Sequence, residues 1–199
     1  MGSPLILASG SMARQTLLKN AGLEFVAVPA SIDERAIEER MPAANRDPVT
    51  IARHLAIAKA TAVSREYSGA VVIGCDQTMS LGPRIFHKAT SIDEARETLE
   101  SLRGQAHFLN SAVCLVQDGR VLWSEVSRAC MQVRDFSDAF LAGYLERNGP
   151  EILSSVGCYQ LEGEGVQLFD AIAGDYFTIL GLPLLPLLAA LRQHGINHA

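Results

Sequence analysis

The chain has 199 residues, 48% of them apolar, and a net charge of −5 at pH 7. That supports one large domain or two small lobes around a substantial core. The negative balance argues against a general nucleic-acid binder, while leaving room for a local basic site that takes a small anion. The most apolar run, Ile179 to Leu191, is too short to span a bilayer and carries Pro183 and Pro186. It reads as a loop entering a buried helix, so no membrane association is expected. No secretory signal is visible, and the Met1-Gly2 start fails the myristoylation pattern at Ile6. Cys75, Cys114, Cys130 and Cys158 form no Cys-x-x-Cys pair and read as reduced, buried thiols in a cytoplasmic protein. The five histidines show no zinc spacing.

Residues 5–8 read as a short buried strand and 12–21 as a helix stopped by Gly22. Glu24 to Val28 alternate as a strand does. Ser31 to Arg46 is polar and reads as a loop with one helical turn. Asp47-Pro48 caps and opens a helix on which Ile51, Leu55, Ala58 and Ala62 keep helical spacing. Ala70 to Gly74 reads as a buried strand, and Gly82 to Lys88 as a turn with a short strand. Ser91-Ile92-Asp93-Glu94 is a capping box for a helix to Leu102. His107 to Gln117 and Arg120 to Val133 form a hairpin about Asp118-Gly119. Ser137 opens a helix that ends at Asn148-Gly149-Pro150. A Gly-rich segment, 157–165, precedes a strand near Val166 to Ile172, and a last helix covers Leu184 to Gln193. Mixed βα units around a central antiparallel hairpin predict a mixed-sheet α/β fold with α+β character.

The most informative stretch is Leu5 to Arg14. An apolar strand runs into Ser9-Gly10-Ser11, and a helix opens at once with Arg14 in its first turn. Small residues, a helix N-terminus and a guanidinium together describe a polyanion site. The plainer reading is an N-cap at Ser11, a turn at Gly10 and a solvated Arg14. Asp76 follows the apolar run Val71–Gly74 and is expected at the strand's C-terminal end, where α/β sheets open their ligand crevices. It reads as a metal ligand or a base for water, against a turn-capping carboxylate. Asp33-Glu34 sits in the polar loop, either as two solvated acids or as the second half of a carboxylate site for magnesium. Lys59 lies in an apolar stretch, either anion-bound or snorkelling. Lys88, between a Gly-Pro turn and a capped helix, is a second phosphate candidate. Glu162, before Gly163-Glu164-Gly165, is placed to accept from base N–H groups; the alternative is a Gly-rich hairpin.

In order, these elements are Leu5–Arg14, Asp33-Glu34, Ile57-Ala58-Lys59-Ala60, Ile73–Gln77, Lys88, Gly104–His107, Glu162–Gly165, Gly174-Asp175-Tyr176 and Gly181–Leu184. The set resembles the Maf family of nucleoside triphosphate pyrophosphatases, over nearly the whole chain. The resemblance implies a single domain, 1–199, with a two-lobed fold related to inosine triphosphate pyrophosphatases and an active-site cleft between the lobes. It implies hydrolysis between the α and β phosphates, a divalent cation (Mg²⁺ or Mn²⁺) and a homodimer. Arg14, Lys59 and Lys88 would neutralise the triphosphate. Ser9 and Ser11 would hold phosphate oxygens. Glu34 and Asp76 would bind the metal, with Asp76 also activating water. Gln77 and Glu162 match the branch resembling 7-methyl-GTP pyrophosphatases; the pyrimidine branch, selective for dTTP and UTP, carries Thr and Gln there. Two positions depart from the family pattern. Ala13 stands where the branches carry Arg or Trp, and Ala89 where many relatives have Pro. The competing expectations are a dTTP/UTP-selective member of the family and a non-catalytic nucleotide-binding regulator of cell division.

Overall fold

The computed structural model describes residues 4–196, so the reading of Gly2 lies outside the described residues. Its elements run β1 Leu5–Leu7, α1 Met12–Asn20, β2 Val26–Ala27, α2 Glu34–Arg40, α3 Pro48–Ser64, β3 Val71–Leu81, β4 Arg84–Phe86, α4 Ile92–Leu102, β5 Ala106–Gln117, β6 Arg120–Val133, α5 Asp138–Asn148, β7 Phe169–Ala173, α6 Tyr176–Ile179 and α7 Leu184–Gln193. The strands form one mixed sheet in the order β2-β1-β3-β5-β6-β7, with β4 paired to β3. Asp118 and Gly119 both have positive φ, 49° and 75°, as a two-residue hairpin turn between β5 and β6 requires. None of the described helices is long and apolar enough to cross a membrane.

The contacts divide the chain into two compact units. One comprises the described residues up to Gln77, with Asn110–Ser127 and those from Tyr176 onward; the other comprises Thr78–Leu109 and Arg128–Asp175.

In the first unit, β1 lies parallel to β2 and β3, with Ile6 opposite Val26 and Leu7 opposite Ile73. Strand side chains alternate between faces, and both faces are covered. Leu5, Leu7, Val71, Ile73 and Cys75 pack with Leu17 and Leu18 of α1 and Leu187 and Leu191 of α7. Ile6, Ala8 and Val72 pack with Ala52, Ala56 and Ala60 of α3. A Cβ at Gly74 would come within 2.2 Å of the Ala56 carbonyl and 2.7 Å of Ala60 Cβ. The absence of a side chain there lets α3 approach β3. Asp47 caps α3 by accepting from the N–H groups of Val49 and Thr50, with Pro48 at its first position.

In the second unit, β4 pairs antiparallel with the end of β3, Met79 opposite Phe86, and β7 pairs with β6, Cys130 opposite Ala173. Leu99 and Leu102 of α4 and Leu141 and Tyr144 of α5 are buried. Ser91 caps α4, and the Glu94 carboxylate reaches back to the Thr90 N–H at 2.7 Å, one residue earlier than an ordinary capping box.

Five expectations need correction. The strand expected to end at Gly74 runs on to Leu81, because pairing with β4 sustains its ladder. The Ser31–Arg46 loop contains a seven-residue helix, α2, capped by Asp33, with Glu34 in its first turn and Arg40 in its last; both charges suit the helix dipole. The strand near Glu24 shrinks to Val26–Ala27. The strand near Val166 begins only at Phe169, after a 3₁₀ turn over Glu164–Leu168. Cys130 is half-buried, unlike the other three thiols, since β6 presents it partly to solvent.

Candidate active site

The approach of α3 at Gly74 brings Lys59 over the next residue on the same face of β3, Asp76. Lys59 Nζ donates to Asp76 Oδ1 at 2.6 Å and pairs with Glu34 Oε1 at 2.9 Å. The side chains of Asp76 and Lys59 are 8% and 14% exposed, whereas that of Glu34 is 49% exposed. Burial pushes the Asp76 carboxyl above the usual carboxylate range, although the Lys59 ammonium and the more distant Arg14 pull it down. Lys59 therefore does not snorkel, and its partners are carboxylates of the protein. Of the Asp33-Glu34 pair, Asp33 is spent as a helix cap, accepting from Ala36 N–H at 3.0 Å, and Glu34 joins the site. Asp76 sits within β3, not at its end as expected.

Glu34 and Asp76 bring two carboxylates together on Lys59, and among the described residues no group of three His, Cys, Asp or Glu is close enough to hold a metal ion. Two carboxylates match the way magnesium is usually held, with water and substrate phosphates completing its shell. The donor set fits such an ion beside a bound phosphate chain, with Lys59 as the counter-ion otherwise.

Ser9, Ser11 and Arg14 gather at the end of β1. Ser11 caps α1, as the plainer reading has it. Ser9 is buried, and its Oγ accepts from Ser11 N–H and from Arg14 Nη1, both at 3.2 Å. Its own hydroxyl proton remains available to an acceptor. Arg14 is not a loose solvated side chain: Nη1 also reaches the Cys75 carbonyl at 3.2 Å, and Nε donates to the Gly181 carbonyl at 2.9 Å. Gly181 has φ +86°, and a Cβ there would lie 3.2 Å from Arg14 Nη2. The Gly-Leu-Pro loop thus makes room for the guanidinium. Burial pushes the neighbouring Cys75 thiol up to about 11, which leaves it unreactive.

Gln77 takes the face of β3 opposite to Asp76. Its Nε2 donates to Ser111 Oγ at 2.7 Å and to the carbonyls of Thr178 and Ile179 at 3.1 and 3.2 Å. Ser111 in turn donates to the Thr178 carbonyl at 2.7 Å. Neither Ser111 nor α6 is evident from the sequence as part of a site. The available signal is the polar pair Asn110-Ser111 inside the apolar run Phe108–Val116, since buried polar groups in a strand need specific partners.

The second unit carries the remaining candidates. Lys88 is exposed just before α4. The N–H of the following Ala89 donates to the Cys158 sulfur, a bond that proline at this position would remove. Glu162 is exposed in the turn before the 3₁₀ segment. Its neighbour Glu164 is tied to Arg147 Nη2 at 2.5 Å and Asn148 Nδ2 at 2.9 Å. The Gly-rich stretch therefore opens a 3₁₀ turn and is not a hairpin.

The family model described as "Maf-like protein" matches residues 4–194. The chain belongs to this family. It is 56% identical over 191 residues to a protein of Rhizobium meliloti (strain 1021) named 7-methyl-GTP pyrophosphatase, an alignment covering 96% of each chain. A protein of the same name from Brucella suis biovar 1 (strain 1330) is 55% identical over 189 residues, covering 95% of each. A protein of Caulobacter vibrioides named nucleoside triphosphate pyrophosphatase is 54% identical over 193 residues, covering 97% of this chain and 96% of that one.

Proposed function

We propose that this Maf-like protein hydrolyses the bond between the α and β phosphates of a nucleoside triphosphate with a modified base, 7-methyl-GTP foremost, giving a nucleoside monophosphate and pyrophosphate. The observation that carries the reading is the buried Asp76 carboxylate, held at 2.6 Å by Lys59 in the same unit as the Ser9–Arg14 cradle. The names of the relatives above support the same activity and substrate.

In this reading Asp76 takes the proton of the attacking water. A carboxylate whose proton affinity is raised by burial is a stronger base at neutral pH than a solvated one. Lys59 and Lys88 stabilise negative charge on the departing pyrophosphate. The Ser9 hydroxyl, the N–H groups opening α1 behind Ser11 and the Arg14 guanidinium hold phosphate oxygens. Gln77 and Glu162 read the base. A divalent cation, Mg²⁺ or Mn²⁺, would be held by Asp76 and Glu34 and would supply charge neutralisation to the phosphates. A cytoplasmic homodimer completes the proposal.

The test is incubation of the purified protein with magnesium and a panel of 7-methyl-GTP, GTP, dTTP, UTP, CTP and ITP, with detection of monophosphate and pyrophosphate. Turnover led by 7-methyl-GTP supports the reading. Turnover led by dTTP or UTP reassigns the substrate to pyrimidines. Nucleotide binding without any turnover replaces the enzyme with a regulator.

A further inference from the structure

The surroundings of Gln77 decide what its side chain can offer a ligand. Two of the three groups around Nε2, the carbonyls of Thr178 and Ile179, can only accept. The third, Ser111 Oγ, has committed its proton to the Thr178 carbonyl and so also faces Gln77 as an acceptor. Three acceptors demand a donor, and the amide answers with its two N–H bonds, one to Ser111 and one shared by the carbonyls. The reverse orientation would press Oε1 against two carbonyl oxygens and leave Ser111, which is fully buried, with an unsatisfied lone pair. The network itself therefore fixes which way the amide points.

The oxygen is what remains. No described residue donates to Gln77 Oε1, and it is not among the buried polar atoms lacking a partner. An amide held like this presents a ligand with an acceptor and no donor. The same backbone segment, α6 and the loop behind it, is tied to Arg14 through the Gly181 carbonyl. Gln77 and Arg14 thus share one anchor, and the amide cannot turn without disturbing it.

We propose that Ser111 is a positioning residue for base selection. It locks Gln77 with Oε1 outward, so that the site favours bases carrying a ring N–H and disfavours those whose ring nitrogen is an acceptor. Guanine, 7-methylguanine and hypoxanthine carry N1–H, and uracil and thymine carry N3–H. Cytosine N3 and adenine N1 accept instead. This inference rests on the proposed function and adds to it a physical basis for selectivity.

The experiment compares wild-type protein with Ser111→Ala, Ser111→Thr and Gln77→Met, using kcat/KM for GTP and for CTP. Ser111→Ala removes one of the three acceptors that hold the amide and loosens it, and the GTP:CTP ratio is expected to fall about tenfold. The loss should lie in KM, with kcat for saturating GTP within about twofold of wild type. Ser111→Thr keeps the hydroxyl and should restore the ratio. Gln77→Met removes the amide altogether and should abolish the preference, which keeps the test decisive if Ser111→Ala does not fold. An unchanged ratio in either Ser111→Ala or Gln77→Met overturns the proposal, as does an equal loss of kcat on both nucleotides. If the wild type turns over neither nucleotide, the enzymatic reading is judged separately, by turnover of 7-methyl-GTP. Dissociation constants for GTP and CTP then decide the selectivity question by the same ratio.

Discussion

Asp76 and Gln77 are consecutive in β3 and send their side chains to opposite faces of the sheet. Asp76 meets Lys59 of α3, and Gln77 meets Ser111 and the carbonyls of α6. The period-two geometry of a strand makes this division obligatory. A one-residue change in register would exchange the two roles, placing the amide against Lys59 and the carboxylate against two carbonyl oxygens. The register is held by Leu5, Ile6 and Leu7 of β1 opposite Val71, Val72 and Ile73.

Asp76→Asn tests the base directly. The amide fills the same space and still accepts from Lys59, but it takes no proton from water. Turnover is expected to fall by about 1,000-fold, within the range for removal of a general base. The fold should persist, because burial already opposes the charge that the substitution removes. The sign follows from linkage. A carboxyl whose folded pKa is raised contributes stability at low pH and loses it as pH rises through that pKa. At pH 7 the neutral asparagine escapes this loss. A thermal melt within a few degrees of wild type together with full activity would remove Asp76 from the chemistry.

Lys59→Ala should be worse for stability than Asp76→Asn. Asp76 would be left buried without its cation, and breaking such a pair by removing one partner generally costs about 3–5 kcal/mol. The exposed Glu34 side of the pair is discounted, since solvent screens it. Activity should drop by about 100-fold, the scale of losing one charge-stabilising group. Glu34→Gln, measured alongside by urea denaturation, should change stability by less than about 1 kcal/mol. Equal losses in the two variants would mean that Glu34, not Asp76, is the main partner of Lys59.

Gly74→Ala tests how the site is assembled. The added methyl would lie 2.2 Å from the Ala56 carbonyl, which is backbone and cannot rotate away. Helix α3 must shift outward, carrying Lys59 from Asp76. Overpacking of this kind costs about 1–3 kcal/mol, and activity should fall with it although no chemical group is lost. Retained activity and stability would show that the helix approach does not set the Lys59–Asp76 distance.

Much of the scaffold was legible because its signals are local. Asp47-Pro48 opens α3 and Asp118-Gly119 turns the β5–β6 hairpin by chemistry confined to neighbouring residues. The resemblance added an order to these pieces. What was not legible depends on remote partners. The extension of β3 past Gly74 needs β4, whereas the Asp33 cap of α2 is a local signal that the polar composition of residues 31–46 obscured. Glu34, Lys59 and Asp76 could each be suspected from residue type. That one ammonium bridges both carboxylates follows only from the packing at Gly74. The lock on Gln77 comes from a carbonyl 101 residues later, on a helix with four residues and no periodicity to read.

His107 makes a pH prediction in the second unit. It is fully buried, with Nε2 2.7 Å from the Tyr159 hydroxyl and Nδ1 without a partner, and its ring packs near Phe169. Burial pushes its pKa from 6.5 down to about 4. Protonation would create a charged ring with a buried Nδ1–H and no acceptor. The folded pKa is depressed below the unfolded one, so the unfolded chain binds the proton first as pH falls. The contribution is fully present above pH 6.5 and is lost as pH falls through about 4. At about pH 5 the expected loss is about 2 kcal/mol, or about 4–8 °C in Tm for a chain of this size. His107→Gln can still hydrogen-bond the Tyr159 hydroxyl and has no proton to gain in this range. Its melting temperature should therefore fall less between pH 7 and 5 than that of the wild type, and parallel curves for the two proteins would exclude His107 as the titrating group.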